Sequence, residues 1–184
     1  MREIAFAKTA CFANGTKADN LEGWRRPLLL VVTGCAVFAM GALVYLTDRG
    51  GLHPILLPTI EVLGSGNVFG VLGQWLPSFV HPFSFSLFTV AALPARLVPP
   101  YGACAAWCAV NIAFEAGQHP QLSLHLADAV YGTFGRTSLT WPLANYFLHG
   151  TFDVGDIVAA ILGALAAAGV LHLTQRNAEV KHAL

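Results

Sequence analysis

The chain alternates long apolar runs with short polar segments, and the length of these runs is its main structural signal. Four runs stand out, over residues 28–47, 79–96, 98–117 and 154–173. Each approaches the roughly 20 residues that a helix needs to cross a bilayer. Because backbone groups inside a membrane must bond to one another, each run is predicted to be helical. The first and fourth are the cleanest, whereas Pro82 and Pro94 interrupt the second. The pattern predicts an all-α integral membrane protein with four transmembrane helices.

Composition supports a membrane class. Of the 184 residues, 55% are hydrophobic and 11% are charged, whereas a soluble domain carries about 25% charge. The mean hydropathy is +0.60. The formal net charge is zero, so bulk charge gives no case for nucleic-acid binding.

The four runs divide the chain into one membrane domain with two polar ends. We expect residues 1–26 to be a partly disordered cytoplasmic arm, 27–175 a single four-helix domain, and 176–184 a cytoplasmic tail. The outer loop 48–78 is apolar and glycine-rich, so it either lies on the membrane or packs on protein. The outer loop 119–152 has the apolar spacing of a short surface helix over residues 122–131.

The basic residues set the expected orientation. With both termini in the cytoplasm, eight of the ten Lys and Arg residues lie inside, and only Arg49 and Arg136 lie outside. Because cytoplasmic segments carry an excess of Lys and Arg, this orientation is favoured over its reverse.

Polar residues gather where the third run ends and the fourth begins. Glu115 and Gln118 close one run, and Asp153 and Asp156 open the next, each pair at the i, i+3 spacing that shares a helix face. One loop joins these runs, so both pairs are expected at the outer membrane surface. Ionisable groups at membrane depth are functional candidates. The candidate ligand-binding residues, which include two further polar residues on the second and third runs, are His81, Asn111, Glu115, Gln118, Asp153 and Asp156.

Several chemistries compete for this cluster. The carboxylates could cap and join helices, could line a ligand pocket that opens outward, or could bind a metal together with His81 and His119. No specific metal motif is present, and His81 and His172 lie at opposite membrane depths, which disfavours haem. We therefore expect no metal and no cofactor. An acid–base enzyme would use Glu115 or Asp156 as its base, but no nucleophile motif accompanies them.

Three short segments carry a family resemblance. They are His81-Pro82-Phe83, Glu115-Ala116-Gly117-Gln118, and the glycine-rich segment 150–164 that begins Gly-Thr-Phe-Asp. With this order and spacing, residues 76–173 resemble the VanZ-like family of small bacterial membrane proteins, named for a protein linked to low-level resistance to a glycopeptide antibiotic. The resemblance implies a helical inner-membrane protein with an outward-facing polar site that acts near the cell envelope.

Two functions follow as expectations. The first is binding of a lipid-linked or amphipathic ligand at the outward polar cluster, with membrane lipids as partners. The alternative is a non-catalytic accessory subunit of a larger membrane complex. Small residues allow helices to approach closely. Those of the fourth run are Gly155, Ala159, Ala160, Gly163, Ala166, Ala167 and Gly169.

Overall fold

The computed structural model of the protein describes residues 3–48 and 68–182, and within these ranges all regular secondary structure is helical. The helices are α1 Glu3–Thr47, α2 Gly70–Ala92, α3 Pro100–Gly117, α4 Pro120–Phe134, α5 Thr140–His149 and α6 Val154–His182. The apolar segment 49–67, which makes up most of the predicted outer loop 48–78, lies outside the described residues.

Helix α2 is central and packs against α1, α3 and α6. Gly34 of α1 meets Phe88 and Gly41 meets Val80, so α1 and α2 run antiparallel. The hydroxyl of Ser84 donates to the carbonyl of Gly34 at 3.0 Å, which is a side-chain bond between the two helices. Small residues on α1 thus let α2 approach closely.

Helices α2 and α6 run parallel and touch at backbone level. Trp75 lies over Gly155, and a Cβ atom at Gly163 would collide with the carbonyl oxygen of Phe79. Helix α3 packs against both in the opposite direction, with the indole of Trp107 donating to Thr89 of α2 at 2.9 Å. The long helices therefore alternate in direction along the chain.

The apolar core lies between these four helices, nearer to the end where α2 and α6 finish. Its buried members are Leu30, Phe83, Leu87, Cys104, Ala164, Ala167 and Leu171. Residues from every long helix contribute, so the four elements form one bundle. Helices α4 and α5 pack mainly on each other, and α4 also contacts α3.

Helix bounds differ from the sequence prediction at several ends. Helix α2 begins nine residues before the predicted start at residue 79. It ends at Ala92 rather than 96, because the residue before Pro94 is extended, as proline disfavours the helical conformation there. The segment 119–152 is not a loop but holds α4 and α5, and α4 includes the surface helix predicted over 122–131. The predicted arm and tail continue α1 and α6.

Two helices are long and apolar enough to cross a membrane, over Trp24–Tyr45 of α1 and Val154–Arg176 of α6. Both expose large apolar side chains, including Val32 on α1 and Leu165 on α6. A core helix of a soluble protein buries such side chains, so this exposure is compatible with a membrane protein.

Candidate functional site

The helix ends bring four carboxylates to one end of the bundle. Helices α1 and α3 finish there and α2 and α6 begin there. We call this the acidic end and define it by Asp48, Glu115, Asp153 and Asp156. In the described part of the chain, each of these carboxylates accepts at least one hydrogen bond from a neighbouring element or from its own helix terminus.

Glu115 joins the end of α3 to the start of α6. Its Oε1 atom accepts the backbone N–H of Asp153 at 2.5 Å, and the residue is only 8% exposed. Residues 115 and 153 are far apart in sequence, but the antiparallel contact of α3 and α6 makes their helix ends neighbours. A charged acceptor of this kind is one of the stronger protein hydrogen bonds.

Asp153 caps α6 and also holds α2. Its Oδ1 atom accepts the N–H of Gly155 at 2.7 Å, which is the bond an N-cap residue makes within the first turn. Its Oδ2 atom accepts the indole N–H of Trp75 at 3.1 Å. One side chain therefore satisfies a helix terminus and links two helices.

Asp156 completes the link to α2. Its Oδ1 atom accepts the hydroxyl of Ser78 at 2.7 Å. In a capping box, the acid at the third helical position reaches back to the N–H of the cap residue. Here Glu115 of α3 takes that N–H of Asp153 instead. Asp156 is therefore available to Ser78, and the first turn of α6 is tied to both α2 and α3.

Gln118 ends α3 beneath the α4–α5 pair. It is 9% exposed, and Gly150 lies so close to its amide that a Cβ atom there would overlap it. Tyr146 of α5 is near: burial and the negative charge of Glu115 raise the pKa of its phenol, and a hydrogen bond with Gln118 partly opposes this rise. Gln118 thus lies between α3 and α5 rather than in an open pocket.

Asp48 accepts backbone hydrogen bonds at the start of α2, as Asp153 does at the start of α6. Its Oδ1 and Oδ2 atoms accept the N–H groups of Val68 and Phe69 at 3.0 and 3.1 Å. Phe69, the residue that precedes α2, provides no side-chain cap of its own. A carboxylate at the end of α1 therefore replaces the missing cap of α2.

His81 lies one turn after Ser78 on α2, but it lines a groove with α1, whereas Ser78 bonds to Asp156 of α6. Together with residues of α1 it lines a groove of about 280 Å³. The groove residues are Phe38, Gly41, Ala42, Tyr45, Pro77, Val80 and His81. The imidazole stacks on Phe85, with ring centroids 5.8 Å apart.

The predicted set of six residues is thus divided. Glu115, Asp153 and Asp156 come together, and Gln118 adjoins them. His81 faces α1, and Asn111 donates to the backbone carbonyl of Trp107 on its own helix at 2.8 Å.

Two contributors were missed by sequence reasoning. Trp75 binds Asp153, and Tyr146 lies beside Gln118. Aromatic residues at the edges of apolar runs are common at membrane interfaces, and this was the available signal for Trp75. Nothing in the sequence indicated Tyr146, because its position depends on how α5 folds back over α3.

The carboxylates of the acidic end join helices by accepting hydrogen bonds from N–H and O–H groups of neighbouring elements, and we call this arrangement the clamp. No described Lys or Arg side chain pairs with these carboxylates. Among the described residues, no group of three His, Cys, Asp or Glu side chains is arranged to hold a metal ion.

Comparison of the chain with protein-family models, with curated proteins and with solved structures finds no match.

Proposed function

We propose that the protein is a VanZ-like, four-span protein of the bacterial inner membrane whose outward end binds an amphipathic or lipid-linked molecule. The alternating direction of α1, α2, α3 and α6 supports four spans. Helices α2 and α3 contain 23 and 18 residues, or about 34 and 27 Å at 1.5 Å per residue. These lengths are near the thickness of the hydrocarbon layer.

The charges of the described residues support cytoplasmic termini. The end opposite the acidic end carries Arg25, Arg26, Arg96 and Arg176. Because cytoplasmic segments carry an excess of Lys and Arg, these four arginines favour a cytoplasmic position for this end, and the acidic end then faces outward. A cysteine introduced by Ser138→Cys into a cysteine-free variant should react with a membrane-impermeant maleimide in intact cells. Labelling only after the cells are broken would contradict this orientation.

The observation that carries the binding proposal is the α1–α2 groove with His81 in its wall. Its other lining side chains are mainly apolar. A ligand with an apolar body would cover the apolar wall of the groove, and one hydrogen-bonding atom of that ligand opposite His81 would bind the imidazole. This combination is the chemistry of an amphipathic lipid.

The acidic end defines the other part of the ligand. Ser78 and His81 are one turn apart on α2, so the carboxylate partner Ser78 and the groove residue His81 lie close together along this helix. The carboxylates there favour a polar part of the ligand that is zwitterionic or positively charged. By fixing α2 on α6, Asp153 and Asp156 also maintain the position of α2 against α1 and therefore the groove. The carboxylates support the ligand site, and His81 contacts the ligand.

The test is purification in mild detergent followed by mass spectrometry of retained lipids. We expect the wild-type protein to retain a specific amphipathic molecule and His81→Leu to lose it. His125→Leu, at an exposed position on α4, is the matched control and should retain it. Equal retention in all three proteins, or none in the wild type, would contradict the proposal.

An accessory subunit is the second candidate function. The small residues of α6 are largely used within this chain, since Ala159, Ala160 and Gly163 are buried. Helix α3 offers another surface. Its exposed small residues are Gly102, Ala105, Ala106, Ala109 and Ala113. Such a surface suits a second transmembrane helix. Co-purification of a stoichiometric set of other membrane proteins would favour this function over lipid binding.

A further inference from the structure

The turn between α4 and α5 is an ordered apolar tip. Leu139 is 86% exposed, Phe134 68% and Trp141 59%. Leu139 is the most exposed large apolar side chain among the described residues. These three residues lie within eight positions of one another, at the turn and at the helix ends beside it, and we call them the α4–α5 tip.

Hydrogen bonds hold the tip in one conformation. Gly135 has φ +73°, which a residue without a Cβ adopts readily, and its N–H closes α4 on the carbonyl of Tyr131. The N–H of Thr137 donates to the Thr140 hydroxyl at 2.8 Å, and the N–H of Thr140 donates to the Thr137 hydroxyl at 3.2 Å. The hydroxyl of Thr140 also donates to the carbonyl of Gly135 at 2.7 Å. These hydrogen bonds fix the turn in a conformation that leaves the apolar side chains exposed.

The tip lies about two helical turns from the contact that attaches α4 and α5 to the bundle. At the other end of the pair, Gly117 at the end of α3 leaves room for Phe147 of α5 and Leu126 of α4. From Leu126, helix α4 extends eight residues, or about 12 Å, to Phe134 at the tip. No described residue of the bundle covers Leu139, so the bundle itself does not bury this surface.

The residues around the tip fit the boundary between lipid headgroups and acyl chains. The guanidinium carbon of Arg136 lies 4.8 Å from the centre of the Tyr131 ring. Arginine beside Tyr and Trp, with Leu and Phe adjoining, is the combination that residues at a membrane interface show. Arg136 can pair with lipid phosphate while the apolar side chains enter the acyl region.

We propose that the α4–α5 tip inserts into the lipid interface and anchors α4 and α5 over the acidic end. This inference rests on the membrane placement of the proposed function. It adds a second lipid contact, outside the bundle and separate from the His81 groove. In this arrangement α4 and α5 form a cover whose outer edge is held by the bilayer and whose inner edge is held by Gly117 and Gln118.

The test uses the fluorescence of Trp141. Wild-type protein and Trp141→Phe are reconstituted in vesicles of phosphatidylcholine and phosphatidylglycerol, with bromine on the phosphatidylcholine chains either near the headgroup or near the chain end. The difference between the two proteins gives the emission of Trp141. We expect it to be quenched most strongly by bromine near the headgroup and only weakly by aqueous acrylamide. Leu139→Asp should shift quenching from bromine to acrylamide.

Other results would overturn the inference. Quenching of Trp141 by acrylamide but not by bromine would place the tip in water. Protection from both quenchers would indicate that protein, such as a second copy of this chain, covers the tip. Failure of the wild-type protein to enter the vesicles would overturn the membrane placement itself. The assay does not involve His81, so loss of this inference would leave the groove proposal standing.

Discussion

Glu115 is expected to stabilise the bundle mainly as a hydrogen-bond acceptor, and two substitutions separate this role from its charge. Its Oε1 atom lies 2.5 Å from the backbone nitrogen of Asp153, and the side chain is 8% exposed. Glu115→Ala removes the acceptor and leaves the N–H of Asp153 without it. Glu115→Gln keeps an acceptor oxygen at the same distance along the side chain and removes the negative charge.

The magnitudes follow from the hydrogen bond. A bond to a charged group contributes about 1.5–3 kcal/mol, and a buried donor left without its partner costs a similar amount. We therefore expect Glu115→Ala to lower the free energy of unfolding by about 2–3 kcal/mol. In Glu115→Gln, weaker acceptance is offset by relief of repulsion from Asp153 and Asp156, so the change should stay within about 1 kcal/mol.

The assay is equilibrium unfolding of the purified protein in mild detergent by titration with a denaturing detergent, with helical circular dichroism as the signal. Wild-type protein and both variants are compared at the same detergent concentration. If Glu115→Ala unfolds at the same denaturing-detergent concentration as the wild-type protein, the proposed stabilising role of Glu115 is refuted. A Glu115→Gln transition as low as that of the alanine variant would show that charge, not the acceptor oxygen, matters.

Two further predictions concern close packing and alkaline pH. Gly163→Ala should lower the free energy of unfolding by about 1–3 kcal/mol, because its new Cβ atom meets the carbonyl oxygen of Phe79. Gly169→Ala, where the Cβ atom meets nothing within 4 Å, should not destabilise, and equal effects in the same detergent titration would refute this reasoning. Burial and the charge of Glu115 raise the pKa of Tyr146. The neutral phenol therefore contributes its whole share of the free energy of unfolding below the ordinary tyrosine pKa of about 10. This contribution is lost as the pH rises from there through the raised pKa. As the pH is raised above about 10, the midpoint of thermal unfolding should fall less for Tyr146→Phe than for the wild-type protein. An equal fall for the two proteins would contradict this prediction.

Some features of the site could be predicted from local sequence. Asp153 precedes an apolar run and suits an N-cap, and the structure places its carboxylate on the N–H of Gly155. Glu115 and Asp153 were expected at the same end of neighbouring helices because one segment joins their runs, and they are in contact. Both predictions depend on run length and chain order, which are properties of the sequence itself.

The face that each residue presents could not be predicted in the same way. His81 and Ser78 are one turn apart on α2, yet Ser78 meets Asp156 and His81 lines the groove with α1. The rotation of α2 decides this, and it is fixed by close contacts such as Gly163 against Phe79. Those contacts join residues far apart in sequence, so periodicity within one helix does not reveal them.

The sequence by itself determined the helical class, the long apolar segments and the chain order that collects carboxylates at one end. These follow from hydrophobicity and from the need of an apolar segment to satisfy its own backbone. Only the tertiary structure decided that Glu115 would replace Asp156 as the partner of the Asp153 N–H, that Trp75 would join them, and that His81 would face a groove. The reason is physical: hydrogen-bond partners between helices depend on rotation and distance, which packing sets after each helix is formed.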